Sequence, residues 1–382
     1  MLPKVIDIAK LMEELAPTEL AENWDNVGLL LGDYESLTKK IMVCLDVTRE
    51  LVDEAVSNKV DLIIAHHPLI FEPLKNIRKN DYQGELIHLL IKNNISVYCA
   101  HTNLDKAEYG TDYALATRLG LTEISTLHAE EGEQKLCKIA VFIPEGHERE
   151  VFEAMAVAGA GHIGKYSHCS FSTLGIGTFL PIEGTNPFVG QIGSIESIKE
   201  TRLEMAVPNS KLDNVVNAMI KAHPYEEVAY DVYHLKNRTN KHGLGRIGIL
   251  PDKVRLSDFI KHICNHLNIE RLDAFGDLDK EISRVAVCAG SGADMAISAK
   301  NSGADLFLTG EIKYHKALEL KSIGMPVVAA GHYATEATVM YWLTERLQKI
   351  TFALQYSVEI LLPDTVTEPF HTLATNRGRL DF

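Results

Sequence analysis

None of the six cysteines (Cys44, Cys99, Cys137, Cys169, Cys264 and Cys288) stands in a C-x-x-C spacing. Cys44, Cys99 and Cys288 fall inside apolar runs, where free cysteine packs as a small hydrophobe, so a reducing, cytoplasmic setting is expected and a fold that needs no staples. No run approaches the roughly 20 apolar residues that cross a bilayer. The N-terminal "MLPKVIDIAKLMEELAP" mixes charge with apolar residues at helical spacing, so neither a membrane span nor an export signal is expected. Basic charge is short: 38 Lys and Arg face 52 Asp and Glu, a formal balance of −14. That argues against nucleic acid as the main partner. Disorder is disfavoured as well, because 46% hydrophobic residues over 382 positions fill a large core, in two or three domains.

What the chain does contain is a regular alternation of apolar and amphipathic segments. "KIMVCLDV" (40–47), "RELVDEAVSNK" (49–59), "DLIIAHH" (61–67), "GELIHLLIKN" (84–93), "ISVYCAH" (95–101) and "TDYALATRLG" (111–120) alternate strand with helix. This predicts right-handed βαβ units and a largely parallel sheet, an α/β core. Ligands then belong at the carboxyl ends of strands, where His66, His67 and His101 fall. From 128 to 240 the order becomes β-α-β-β-α-β, a ferredoxin-like arrangement bounded by the polar stretches "HAEEGEQK" (128–135) and "KNRTNKHGLG" (236–245). The reading is an α+β domain, 128–240, inserted between two core segments, 1–127 and 241–382. After it, βα alternation resumes from "RVAVCAG" (284–290) to the helix "EATVMYWLTERLQK" (336–349).

The second core segment repeats the first. Residues 43–67 align without a gap on 287–311, matching Val43 with Val287, Cys44 with Cys288, Ala55 with Ala299, Asp61 with Asp305 and Leu62 with Leu306. "VYCAHTNLD" (97–105) then lies on "VAAGHYATE" (328–336), superposing His101 on His332 and Asp105 on Glu336. Two pseudo-symmetric halves follow, with a cleft between them. There His66, His67 and Asp105 confront His332 and Glu336, a donor set suited to divalent first-row metals. Three histidines and two carboxylates exceed what one catalytic zinc takes, so two ions are expected, the arrangement that activates water and clamps a leaving oxygen. His66 and His67 align with Gly310 and Glu311, so one half brings the histidine pair and the other brings space. One site per chain is expected.

The motifs "WDNVGLLLG" (24–32), "AHHPLIF" (65–71), "HTNLD" (101–105), "VCAGSG" (287–292), "LTGEIKYH" (308–315) and "GHYATE" (331–336), in this order, closely resemble the NIF-three-like family, the GTP cyclohydrolase I type 2 homologues. The resemblance covers both core segments. It implies a dinuclear metal site on His66, His67, Asp105, His332 and Glu336, with Glu336 bridging. The insert, with "HPYEEVAYDVY" (223–233), resembles the PII/CutA-type domain of some bacterial members, which implies a trimerising module and a ring-like homohexamer.

Other residues admit two readings each. His101 is either a proton-transfer group beside the metals or an ordinary packed polar residue. Glu311 and His315 line the substrate pocket, with Glu311 a second proton-transfer candidate, or Glu311 simply opens the next helix. "AGSGADM" (289–295) is a tight strand-to-helix turn or a phosphate cradle. Trp24, Asp25 and Asn26 shape the cleft or cap and pack it. Three functions are compatible with this set. The first is a metal-dependent hydrolase of a small nucleotide-like or phosphate-bearing molecule. The second is a non-catalytic, metal-loaded regulatory or protein-interaction assembly with a ligand-sensing insert. The third and least favoured is a nucleic-acid clamp. Zinc comes first among the ions, and manganese, iron, cobalt and nickel suit the same donors.

Overall fold

Short apolar stretches bounded by turns build three sheets rather than a helix bundle. The computed structural model describes residues 1–129, 136–164, 166–235 and 242–370. The chain divides into two compact units, Met1–Glu130 with Asn240–Phe382, and Glu131–Thr239.

The N-terminal half of the first unit runs α1 (Val5–Leu15), β1 (Gly28–Leu31), β2 (Lys40–Cys44), α2 (Arg49–Ser57), β3 (Leu62–Ala65), α3 (Tyr82–Lys92), β4 (Ser96–Cys99), α4 (Thr102–Lys106), α5 (Thr111–Arg118) and β5 (Thr122–Ala129). The second unit contributes β6 (Leu136–Pro144), α6 (Glu148–Val157), β7 (Ser170–Phe179), β8 (Glu196–Pro208), α7 (Leu212–Ala222) and β9 (Tyr230–His234). The C-terminal half of the first unit follows: β10 (Gly243–Arg255), α8 (Leu256–Leu267), β11 (Asp273–Phe275), β12 (Glu281–Cys288), α9 (Ala296–Asn301), β13 (Leu306–Thr309), α10 (Tyr314–Ser322), β14 (Val327–Ala329), α11 (His332–Ala353) and β15 (Glu359–Leu361).

One sheet of the first unit has the order β1-β4-β3-β2-β15 and the other β11-β14-β13-β12-β10-β5. In each, three parallel strands form the middle (β4, β3, β2 and β14, β13, β12), and an antiparallel strand flanks the first of them. These central strands are buried on both faces, which is why they read as unbroken apolar runs. The halves also trade edges, for β15 joins β2 of the N-terminal sheet and β5 joins β10 of the C-terminal one. β5 continues through Ala129 in register with Gly243, so the polar stretch expected to open the insert begins inside a core sheet. Val339, Met340, Leu343 and Leu347 of α11 enter the core of the N-terminal half, each contributing about 1.5–3 kcal/mol by burial.

The repeat is visible in the hydrogen bonds. Cys44 pairs with Ala65 across β2 and β3, and Cys288 pairs with Thr309 across β12 and β13, the register the alignment requires. Asp61 accepts the amides of Lys39 and Lys40, and its counterpart Asp305 accepts those of Ser283 and Arg284. For the third strand the alignment is one residue out. Cys99 pairs with Ala65 and Ala329 with Thr309, so Thr102, not His101, is the counterpart of His332. The left-handed turns agree: Asn94 (φ 54°) corresponds to Gly324 (φ 70°). The shared His-x-x-x-acid spelling comes from two different helical positions, with His101 capping α4 and His332 already inside the first turn of α11.

In the second unit the sheet order is β7-β8-β6-β9, all neighbours antiparallel. With the connectivity β-α-β-β-α-β this is a ferredoxin-like fold. α6 and α7 cover one face through Val151, Met155, Val215 and Met219.

Candidate metal centre

The histidine pair is placed by the sheet itself. Just past β3, His66 N donates to Cys44 O (3.0 Å) and His67 N to Leu45 O (2.9 Å), extending the ladder to the point where the rings leave it. His66 Nδ1 lies 2.9 Å from the carbonyl oxygen of Ala100, which only accepts, so the proton sits on Nδ1 and Nε2 keeps its lone pair. His67 Nδ1 meets Asp46 Oδ1 at 2.7 Å and His101 Nδ1 meets Asp25 Oδ1 at 2.9 Å. All three rings are thus held by Nδ1, the way metal-ligating imidazoles are oriented, and in His66 and His101 this leaves the Nε2 lone pair exposed to the site.

Two groups of donor atoms result, each within 4.8 Å: His66, His67 and His101, and His67, His332 and Glu336. His67 belongs to both. Glu336 Oε2 lies 3.2 Å from His67 Nε2 and 3.1 Å from His332 Nε2, one helical turn away on α11. Asp105, on α4, stands outside both groups with Oδ1 3.5 Å from His66 Nε2. Among the described residues, His66 Nε2 and Glu336 Oε2 are buried without a hydrogen bond, although donors and acceptors approach them this closely. Imidazole and carboxylate donor atoms brought this close, two of them buried without a hydrogen bond, are what a divalent cation satisfies, so the donor set fits metal.

Electrostatics sort the groups. Burial pulls the His66 imidazole down to about 3, against the attraction of Glu336, so it is neutral near pH 7. Burial opposes the charge on His67 too, but the hydrogen bond to Asp46 and the Glu336 carboxylate beside the ring raise it to about 10. Glu336 is held well below the usual carboxylate range, because His332 and His67 outweigh its burial. Burial and the Glu336 charge lift Asp105 to about 6.

The C-terminal half does not leave the expected space at the position matching His66, because its own turn fills it. A Cβ on Gly310, the counterpart of His66, would meet Gly290 O at 2.6 Å and Thr335 Oγ1 at 2.9 Å. Gly290 O instead accepts the amides of Gly310 and Glu311, so "AGSGADM" acts here as a tight turn. Glu311 does not open the following helix, which starts at Tyr314. Its carboxylate is exposed, accepts the Ser291 hydroxyl and stands 3.6 Å from His332 Nδ1. His315 is exposed, its ring against Tyr314, and no described contact joins it to the donor groups. Of the Trp24–Asn26 segment, Asp25 is enclosed and takes the Thr102 amide and hydroxyl besides His101. Trp24 packs on Phe71 and His101, and Asn26 Nδ2 donates to Ile70 O. Cys44, Cys99 and Cys288 are buried free thiols.

Two features went unread in the sequence. Asp46 follows β2 by two residues and orients His67; its position at a strand's carboxyl end was the available signal. Asp112 of α5 accepts Gly245 N and Ala289 N, both at 2.7 Å, and so ties the halves together. The nearby Arg246 is buried and donates to the carbonyls of Ala107, Gly243 and Gly245. Nothing local marked a buried arginine in "GLGRIGIL".

Fold and site define an α/β protein with pseudo-symmetric halves and His/Glu groups able to hold a metal ion. The chain belongs to the Duf34/NIF3 (NGG1p interacting factor 3) family, whose profile matches residues 3–369. A Bacillus subtilis (strain 168) protein named GTP cyclohydrolase 1 type 2 homolog is 41% identical over 363 residues, 95% of this chain and 97% of that protein. A relative of the same name from Mycobacterium leprae (strain TN) is 36% identical over 339 residues, 88% of each chain. The crystal structure of a Bacillus cereus protein related to NIF3 superposes with a TM-score of 0.83 at 39% identity, covering 98% of this chain and 100% of that one. A Staphylococcus aureus protein, SA1388, gives 0.84 at 28%, covering 97% and 99%. Among the described residues no helix is long and apolar enough to cross a membrane.

Proposed function

We propose that the chain is a hydrolase dependent on two divalent metal ions, zinc first among them, acting on a small nucleotide-like or phosphate-bearing molecule. His66, His67, Asp105, His332 and Glu336 would hold the ions, with Glu336 shared. The observation that carries this reading is that His66 Nε2 and Glu336 Oε2 are buried without a hydrogen bond, each beside His67 in a group of closely spaced donor atoms. When bound, the ions supply an activated water and a Lewis acid for the leaving oxygen. The chain does the rest. Asp25 fixes His101 with Nε2 bare, leaving it able to take a proton from the attacking group. The exposed Glu311 carboxylate, at the His332 side, is the second proton-transfer group. The name carried by the relatives makes GTP the first substrate to try.

Elemental analysis of untagged protein beside His66→Ala and Glu336→Ala tests the reading, followed by a nucleotide screen. Near two equivalents of metal, lost in both variants together with turnover, supports it. No stoichiometric metal after reconstitution ends it.

A second reading is favoured by the second unit. Along β7, Phe171 is 66%, Leu174 79% and Ile176 73% exposed, an apolar display unusual on a free edge strand. We infer that this unit, in its expected PII/CutA-like role, docks copies of the chain into a trimer-based homohexamer. The metal-loaded assembly would then serve regulation rather than turnover. Light scattering that finds a monomer would dismiss it.

A further inference from the structure

The C-terminal segment beyond β15 reaches the metal centre. β15 pairs in parallel with β2, Leu361 opposite Met42, so the chain leaves the sheet at the carboxyl end of β2, where Asp46 stands. Pro363 follows, and the next two amides both go to α2: Asp364 N to Glu54 Oε1 (2.8 Å) and Thr365 N to Glu54 Oε2 (2.9 Å). Two residues later the Thr367 hydroxyl donates to Asp46 Oδ2 at 2.8 Å. The other oxygen of that carboxylate, Oδ1, is the one that holds His67 Nδ1 at 2.7 Å.

Asp46 is thus gripped from two sides, and rotating its carboxylate would turn the His67 ring, the one ring common to both donor groups. Leu362 packs on the core of the N-terminal half, and beyond it the segment is only partly buried. A void of about 90 Å³ lies between it and the groove formed by β2 and α11, bordered by Val43, Leu45, Tyr333, Met340, Leu362 and Val366. Val366 is 69% exposed. Beyond Leu362 the segment's hold therefore rests on hydrogen bonds, to Glu54, to Asp46 and between the Thr367 backbone and Tyr333, more than on burial.

We propose that residues 363–367 form a strap that positions His67 through Asp46, with Thr367 as the positioning residue and Glu54 as the anchor. The metal-affinity half of this rests on the function proposed above; the orientation of His67 does not. Docking the strap and binding metal then favour one another, because each requires the same setting of Asp46. The occupant that would exploit the coupling is the cation itself: a free strap loosens the ion held by His67, and a bound ion tightens the strap.

The test uses the full-length chain with Thr367→Val, Thr367→Ser and Glu54→Gln. In metal-free protein, NMR follows exchange of the His67 Nδ1 proton with water. The expected result is at least tenfold faster exchange in Thr367→Val and Glu54→Gln, with Thr367→Ser close to wild type. Zinc alone is then titrated into each protein. Affinity is expected to fall about tenfold or more in the first two variants and to be retained in Thr367→Ser. Zinc should also slow amide exchange at Asp364 and Thr365 in wild type. Unchanged His67 proton exchange in Thr367→Val would overturn the strap, whatever the zinc result. Wild-type protein that takes up no zinc would instead strike the proposed function, and faster exchange in the variants would still uphold positioning of His67.

Discussion

Gly290 and Glu336 are packed against one another: a Cβ built on Gly290, at φ 57°, would clash with Glu336 Oε1 and lie 3.3 Å from His332 Nε2. The carboxylate expected to be shared by the metal ions therefore sits where only glycine leaves room. Gly290→Ala should lose stability by about 1–2 kcal/mol for the left-handed backbone alone. It should in addition displace Glu336 and lower zinc affinity at least tenfold. Gly120→Ala is the control, since its φ of 75° is as unfavourable but nothing lies within 4 Å of its Cβ. That variant should show the urea shift and keep zinc binding intact. Equal zinc affinity in both variants would show that Gly290 does not set the position of Glu336.

Metal binding should release a proton. His67 is raised to about 10 by Asp46 and Glu336 acting against burial, so near pH 7 it holds the proton that a cation must displace. His66, lowered to about 3, offers no such competition. Zinc affinity should then rise about tenfold per unit between pH 6 and 8, with close to one proton released on account of His67. Calorimetry in buffers of different ionisation enthalpy measures that proton. In metal-free protein the sign reverses: the proton on His67 contributes stability that is complete below about pH 6.5 and lost as pH rises toward 10.

The two halves are joined by a buried polar lock rather than by apolar contact alone. Asp112 and Arg246 are each 2% exposed, and Asp112 alone satisfies the amides of Gly245 and Ala289. Asp112→Ala strands both amides, a loss of about 1–3 kcal/mol for each in urea unfolding. Asp112→Asn keeps the shape but turns one acceptor into a donor, which costs about 1–3 kcal/mol. Burial and the Asp105 charge lift Asp112 to about 7, above the unfolded value of about 3.9, so its contribution is greatest at low pH. The stability gap between wild type and Asp112→Asn should accordingly narrow from pH 4 to pH 7.

What could be read from residues alone followed the periodicity of the core. The 43–67 and 287–311 units matched in register because each is a complete βαβ, and an Asp at position 61 or 305 ties down the start of its neighbouring strand. The third strand misled because four-residue spacing is also the helical repeat: "HTNLD" and "GHYATE" agree in spelling while their helices start one residue apart. The edge strands β5 and β15 were not foreseen, since three to eight residues with no repeat partner carry no pattern of their own. Asp46 and Thr367 lie 321 residues apart in the chain, and a contact of that kind leaves no trace in local sequence.

The pairing of Asp25 with His101 separates chemistry from metal binding. Asp25 is held well below the usual carboxylate range, since hydrogen bonds from His101 and Thr102 outweigh its burial, and it stays charged at any working pH. Its charge fixes the His101 proton on Nδ1 and leaves Nε2 basic. Asn in its place can present its amide nitrogen to the ring and reverse the tautomer, while His66, His67, His332 and Glu336 keep their own supports. Asp25→Asn should therefore retain its metal and lose about 10²–10⁴ in kcat for whichever nucleotide the wild type turns over. Metal analysis and steady-state kinetics on one preparation measure both. Loss of metal in step with activity would make His101 a ligand, as its place beside His66 and His67 allows, and would move the proton-transfer role to Glu311.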